Sequence, residues 1–114
     1  MRITSLKATG IELTDAIKNY AEEKLAVLEK FLHEVGTPHN LFVELAKITE
    51  HHKSGPIFYA EADIVIPGSH LRAEATAESL YAAIDKLHDE IKGQLKKLHD
   101  KKRAKARKAE KELE

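Results

Sequence analysis

Apolar residues recur along this chain in two periods, and the switches between them mark the elements. Residues 2–8 alternate weakly and read as a short strand that Gly10 ends. Thr14 suits the N-cap of a helix, because a threonine oxygen there accepts from an otherwise unpaired backbone N–H. After it Ile17, Tyr20, Ala21, Leu25, Leu28, Phe31 and Leu32 recur at three- and four-residue steps. That spacing predicts one apolar helix face running to about His33. Gly36-Thr37-Pro38 predicts a loop, residues 41–47 a strand of mixed pattern, and Lys53-Ser54-Gly55-Pro56 a turn. The following strand is clearer. Phe58, Ala60, Ala62, Ile64 and Ile66 point one way, and Tyr59, Glu61 and Asp63 the other.

Pro67-Gly68 turns the chain into a fourth strand. Leu71, Ala73, Ala75 and Ala77 face the core, with His70, Arg72, Glu74 and Thr76 toward water. Inward alanines leave room for a helix to lie close. The last helix begins near Ser79, and Leu80, Ala83, Ile84, Leu87, Ile91, Leu95 and Leu98 form its buried stripe. Beyond Leu98 the stripe stops while helix propensity stays high, which predicts a fraying helical extension.

The order β-α-β-β-β-α makes this an α+β fold. A helical crossover sets strands one and two parallel, and short turns make the last three an antiparallel meander. Each strand has one apolar face, so the predicted architecture is a four-stranded sheet with two helices packed on one face. Residues 1–98 form the domain, and 99–114 a basic, helix-prone C-terminal tail.

Length changes this picture little: 114 residues suit a single domain. No Cys is present, which removes disulfides and thiolate metal sites. No apolar run approaches the roughly 20 residues that cross a bilayer, and the N-terminus lacks a signal-peptide pattern. A cytoplasmic location is therefore the expectation, with no membrane partner.

Charge changes it more. The formal net charge is zero, yet residues 92–111 carry ten Lys or Arg against two acids, and residues 1–91 carry nine basic against fifteen acidic residues. A basic end on an acidic body suits a polyanion partner reached through that end; a solvated, Lys-rich tail is the plain alternative.

The motifs of catalysis are missing. There is no Gly-x-Ser-x-Gly, no Gly-rich phosphate loop and no His-Glu-x-x-His. His51-His52 sits beside a turn, and neighbouring histidines in a strand point to opposite faces, so a polar loop is the better reading than a metal site. Glu22-Glu23 and Asp89-Glu90 fall on solvent-facing helix surface. The chain reads as a non-enzyme without cofactor, metal or small-molecule substrate.

Nucleic-acid binding has more support. Exposed helix positions offer Lys18, Lys24 and Lys30 on the first helix, and Lys86, Lys92, Lys96 and Lys97 on the last. Two parallel helices on one face bring these rows alongside each other as a groove for a phosphate backbone. Lys86 sits one turn from Glu90, and for Lys18 and Lys86 local pairing is the favoured reading. From Lys92 onward acids are scarce and phosphate binding is favoured. The open sheet face carries Tyr59 without an aromatic cluster, which argues against base stacking on the sheet. Tyr81 reads as a packed residue.

A set of ordered motifs adds to this. Gly10-Ile11-Glu12-Leu13-Thr14-Asp15-Ala16-Ile17 is followed by Lys24-Leu25 and Leu28-Glu29-Lys30-Phe31. Then come Val43-Glu44-Leu45, His51-His52, Pro67-Gly68, Leu71-Arg72-Ala73-Glu74 and Tyr81-Ala82-Ala83-Ile84-Asp85. Over roughly residues 1–98 they resemble the short form of the ribosome hibernation promoting factor and ribosome-associated inhibitor family. The resemblance implies the same β-α-β-β-β-α fold. It implies binding in the channel between head and body of the small ribosomal subunit, over the mRNA and tRNA sites, with translation silenced in stationary phase or stress. Family members contact ribosomal RNA through basic residues of both helices. The matching positions are Lys24 and Lys30, and Lys97 with Lys101, Lys102 and Arg103. Basic residues often stand in the family where this chain has Val27, Glu90 and Gly93, and an acid where it has Ser79; Lys92, Lys96 and the tail offset those losses. Long members add a C-terminal dimerisation domain for which this chain is too short, so a monomer is expected when free.

The runner-up is a general double-stranded RNA-binding domain. That class places a Lys cluster at the start of its last helix, where this chain has Ala77-Glu78-Ser79-Leu80, and it has no use for the first strand. A third reading is a protein-interaction module whose tail binds an acidic partner; capture that survives nuclease separates it from both RNA readings.

Overall fold

The computed structural model describes residues 2–35, 39–48 and 57–113. Strand β1 (Ser5–Thr9) leads into helix α1 (Asp15–Ala26) and helix α2 (Glu29–Val35). Strands β2 (Asn40–Ile48), β3 (Ile57–Ile66) and β4 (Ser69–Ala77) follow, then helix α3 (Leu80–Leu113). The sheet order is β1-β2-β3-β4. β1 pairs parallel with β2, and the other two pairings are antiparallel. The α+β class, the parallel crossover and the meander are thus as the pattern predicts.

Local chemistry explains the element ends. The Thr14 hydroxyl accepts from the Ile17 N–H at 3.2 Å, and the Ser79 hydroxyl from the Ala82 N–H at 3.1 Å, so both helical stretches begin on a side-chain cap. β1 starts later than its pattern suggests. Thr4 is bound to Leu41 through its N–H and its hydroxyl, and ladder pairing begins at Ser5. Gly10 closes β1 at φ +73°, and a Cβ there would stand 3.2 Å from the Lys47 carbonyl oxygen. The positive φ favours glycine, and the close carbonyl adds to the cost of any side chain.

One expectation changes. The first helix is not continuous to His33: it divides after Ala26, where the Leu28 N–H turns to the Leu25 carbonyl at 3.1 Å. That bond spans three residues, a local tightening of the helix. It keeps Leu25, Leu28 and Leu32 all buried. The pattern of apolar residues is the same with or without the tightening, so periodicity does not reveal it. The helical extension expected beyond Leu98 is present: α3 continues to Leu113, since nothing in its Ala, Lys, Arg and Glu sequence interrupts it. The loop at residues 36–38, the turn at 53–56 and His51-His52 lie outside the described residues.

The core lies between the inner sheet face and the helices. Leu41, Val43, Leu45, Ala60, Ala62, Ile64 and Ala73 rise from the strands to meet Ala21, Leu25 and Leu32 of α1 and α2. From α3 come Leu80, Ala83, Ile84, Leu87, Ile91 and Leu95. At about 1.5 Å per residue the 34 residues of α3 span roughly 50 Å, longer than any strand, so the molecule measures 62 × 29 × 18 Å. Among the described side chains Leu98 is the last of α3 packed on the core.

Leu25 and Ile84 sit where the helices meet the sheet, and both are buried completely or nearly so. Either one replaced by alanine should lower unfolding free energy by about 2–5 kcal/mol in urea denaturation, whereas Lys97→Ala should change it by less than about 0.5 kcal/mol.

Candidate nucleic-acid interface

Helix α3 places its charges by its contacts. On one flank Asp85 meets α1: its carboxylate accepts from the Tyr20 hydroxyl at 2.5 Å and lies 3.5 Å from the Lys24 ammonium. On the other flank Lys86 donates to the Thr76 carbonyl at 3.2 Å, and Gln94 to the Arg72 carbonyl at 2.7 Å, so this side lies over β4. Steps of three and four residues carry each flank forward. From Asp85 the row runs through Asp89 to Lys92, Lys96, His99 and Arg103, on the α1 and α2 side. From Lys86 it runs through Glu90 to Lys97 and Lys101, on the β4 side.

The expected binding residues therefore divide. Lys92 and Lys96 lie on the flank toward the shorter helices, with Arg103 in line with them farther along α3, all exposed. Lys97 and Lys101, also exposed, belong to the opposite flank. Beyond Leu98 the helix leaves the core, and Lys101, Arg103, Lys105, Arg107 and Lys108 stand exposed around a projecting arm. Lys102 lies in α3, with its side chain outside the described part. Lys24 is engaged with Asp85, and Lys30 lies 5.3 Å from the centroid of the Phe31 ring. Lys86 binds a backbone carbonyl rather than Glu90. None of Lys92, Lys96, Lys97 or Lys101 has an ion pair among the described residues.

Sequence reasoning missed the junction of α1 and α3. Tyr81 stacks edge-on against Tyr20, with centroids 4.9 Å apart at 77°, yet it remains 43% exposed. It is both packed and accessible. A concavity beside it is lined by Tyr20, Glu23, Lys24, Val27 and His88. The hydrogen bond from Tyr20 holds the Asp85 carboxyl below the usual carboxylate range, with Lys24 and His88 acting in the same direction against partial burial. The same bond raises Tyr20. No spacing rule links residues so far apart in sequence.

The open sheet face has the opposite character. Its cross-strand register sets Lys7, Glu44, Glu61 and Glu74 in one row, and Ser5, Phe42, Asp63 and Arg72 in the next. The Tyr59 hydroxyl lies 2.7 Å from a Glu74 carboxylate oxygen and 2.9 Å from one of Glu61, and its single proton is shared between them. Burial, with those two carboxylates, pushes its hydroxyl well above the ordinary range. Arg72 pairs with Glu61 at 2.6 Å. This face presents mainly carboxylates, whereas the exposed positions of α3 from Lys92 onward are mainly cationic. Among the described residues no group of three His, Asp or Glu is placed to hold a metal ion, and no helix is long and apolar enough to cross a membrane.

Comparison with known proteins supports the fold. The family model described as sigma 54 modulation protein / S30EA ribosomal protein matches residues 4–103. The ribosome hibernation promotion factor of Deinococcus radiodurans is 29% identical over 97 residues, covering 85% of this chain and 49% of that protein. The chain thus spans about half the length of that relative. The shorter ribosome hibernation promoting factor of Pseudomonas putida is 32% identical over 97 residues, with 85% and 86% covered. Among solved structures, the N-terminal domain of Thermus thermophilus Protein Y matches with a TM-score of 0.65 and 31% identity, over 86% of this chain and 99% of that one.

The Asp85 contact has a pH signature. Its folded-state pKa lies below the unfolded value, so its contribution is present above the ordinary carboxylate range, near about 4, and is lost as pH falls through the lowered value. Wild type should exceed Asp85→Asn in thermal stability near neutrality, and the gap should close in strong acid.

Proposed function

The chain belongs to the sigma 54 modulation protein / S30EA ribosomal protein family, and from that premise we propose that it is a ribosome hibernation factor that docks its helix side on ribosomal RNA. The observation that carries this reading is the run of exposed Lys92, Lys96, Lys97 and Lys101, without an ion pair among the described residues, on a helix whose far end projects from the core. Such a row neutralises successive phosphates, and the acidic sheet face turns the rest of the domain away from them.

The site is the channel of the small subunit between head and body, over the mRNA and tRNA positions, and occupancy there silences translation in stationary phase or stress. Lys24 and Lys30 supply secondary contacts, since an exposed pair such as Lys24–Asp85 contributes little and yields readily to phosphate. Lys102 and Arg103 extend the contact into the arm. The protein acts in the cytoplasm, as a monomer when free, and needs no cofactor. A general double-stranded RNA-binding domain fits less well, because β1 pairs parallel with β2 through a helical crossover and α3 opens on Leu80 rather than on a lysine cluster.

Two measurements test this. Co-sedimentation with purified small subunits should weaken with salt, at a slope of roughly −4 to −5 in log affinity against log salt if about six phosphates are contacted. Binding indifferent to salt refutes the electrostatic mechanism. In cell-free translation, Lys96→Glu with Lys97→Glu and Lys101→Glu should abolish inhibition, while Lys18→Glu with Lys86→Glu largely retains it. The flanks should differ as well: Lys92→Glu with Lys96→Glu should cost more than Lys97→Glu with Lys101→Glu, because only the first pair lies beside α1 and α2. A control that loses inhibition while the triple variant keeps it places RNA on the other side of the helices.

A further inference from the structure

The open sheet face is expensive to keep. Glu44, Glu61 and Glu74 stand directly opposite one another on three adjacent strands, and like charges so placed destabilise a sheet. One row along, Asp63 lies between Phe42 and Arg72. Phe42 and Val65, each 42% exposed, are diagonal neighbours on the same face. Lys7, Phe42, Glu44, Glu61 and Asp63 line a shallow concavity of about 370 Å³. Carboxylates thus surround an exposed aromatic ring on a face that the core does not need.

We propose that this face is a docking surface for a cationic polypeptide segment, one that alternates Arg or Lys with apolar side chains. The charge complementarity is explicit: four acids share this face with Lys7, Arg72 and His70, of which Arg72 pairs with Glu61 and His70 lies 3.1 Å from Asp63. Arg72 already shows the mode of recognition within the chain: its guanidinium sits 2.6 Å from the Glu61 carboxylate, held over the sheet. An incoming arginine finds Glu44 and Asp63 at the concavity and the Phe42 ring as a cation–π partner. Alternate apolar side chains of an extended segment reach Phe42 and Val65. A polyanion is repelled here, so the two sides of the sheet take partners of opposite charge. This holds independently of which RNA the helix side binds.

The test is an NMR titration of the full chain with a synthetic peptide alternating arginine and leucine, and with its glutamate–leucine counterpart. The cationic peptide should shift amides of β2, β3 and β4, and the acidic peptide should not. Glu44→Gln with Asp63→Asn should weaken binding about tenfold. Phe42→Ser, which leaves the charge unchanged, should also weaken it. Lys92→Glu with Lys96→Glu should leave it intact. Removing like charges should not lower the melting temperature, so loss of binding cannot be ascribed to unfolding. Equal binding by the Glu44/Asp63 variant, or shifts confined to the helices, overturns the proposal. So does a wild-type dimer that dissolves in that variant, because the face then belongs to the basic arm of a second copy.

Discussion

The contact on which the rest depends is the seating of α3 on the alanines of β3 and β4. Ala60, Ala62 and Ala73 have almost no side-chain bulk, and all three are buried beneath the helices. Close packing at that floor fixes the rotation of α3 about its own axis, because Leu87, Ile91 and Leu95 must all point inward. Once rotation is fixed, every charged position on the helix has a determined direction. Lys92 and Lys96 face the side of α1 and α2, and Lys97 and Lys101 the side of β4, with no freedom to exchange. A larger residue at Ala62 would do more than strain the core: it would turn or lift the helix that presents the cations.

The same constraint separates charge by face. A sheet with one buried face has its other face free, and here the register gathers carboxylates on it while the helices carry the exposed lysines. A formal net charge of zero conceals a molecule with two differently charged sides. An approaching polyanion is oriented by this arrangement before any contact forms, because repulsion from Glu44, Glu61 and Glu74 acts together with attraction to α3. Lys92, Lys96, Lys97 and Lys101 have no ion pair among the described residues, whereas Lys24 is engaged with Asp85.

Legibility in the sequence followed the strength of each periodic signal. β3 and β4 alternate cleanly, and their inward and outward residues are as read. The helix stripe of α3 is equally regular. The division between α1 and α2 was not legible, because a tightened turn at Leu28 preserves the three- and four-residue spacing on which the reading rests. Phe42 escaped notice since residues 41–47 mix apolar side chains on both faces. The row of three glutamates is visible only with the strand register in hand: each acid reads singly as a solvated outward residue, and pairing makes them neighbours. The basic residues were found by composition, but composition carries no direction. Their division into two flanks required Asp85 and Lys86, adjacent in sequence, to be seen binding opposite neighbours.

The projecting end of α3 follows from the same packing. A helical segment this short and without a buried face is marginal in water when isolated, because nucleation is the costly step. Here nucleation is already accomplished by the packed turns before Leu98, and each further residue adds to an existing helix. Ala, Lys, Arg and Glu make that propagation favourable, although repulsion among Lys101, Arg103, Lys105, Arg107 and Lys108 opposes it. A polyanion bound along the arm would relieve that repulsion without replacing any contact in the core, so binding there and helix formation would reinforce one another, with the folded domain as the nucleus.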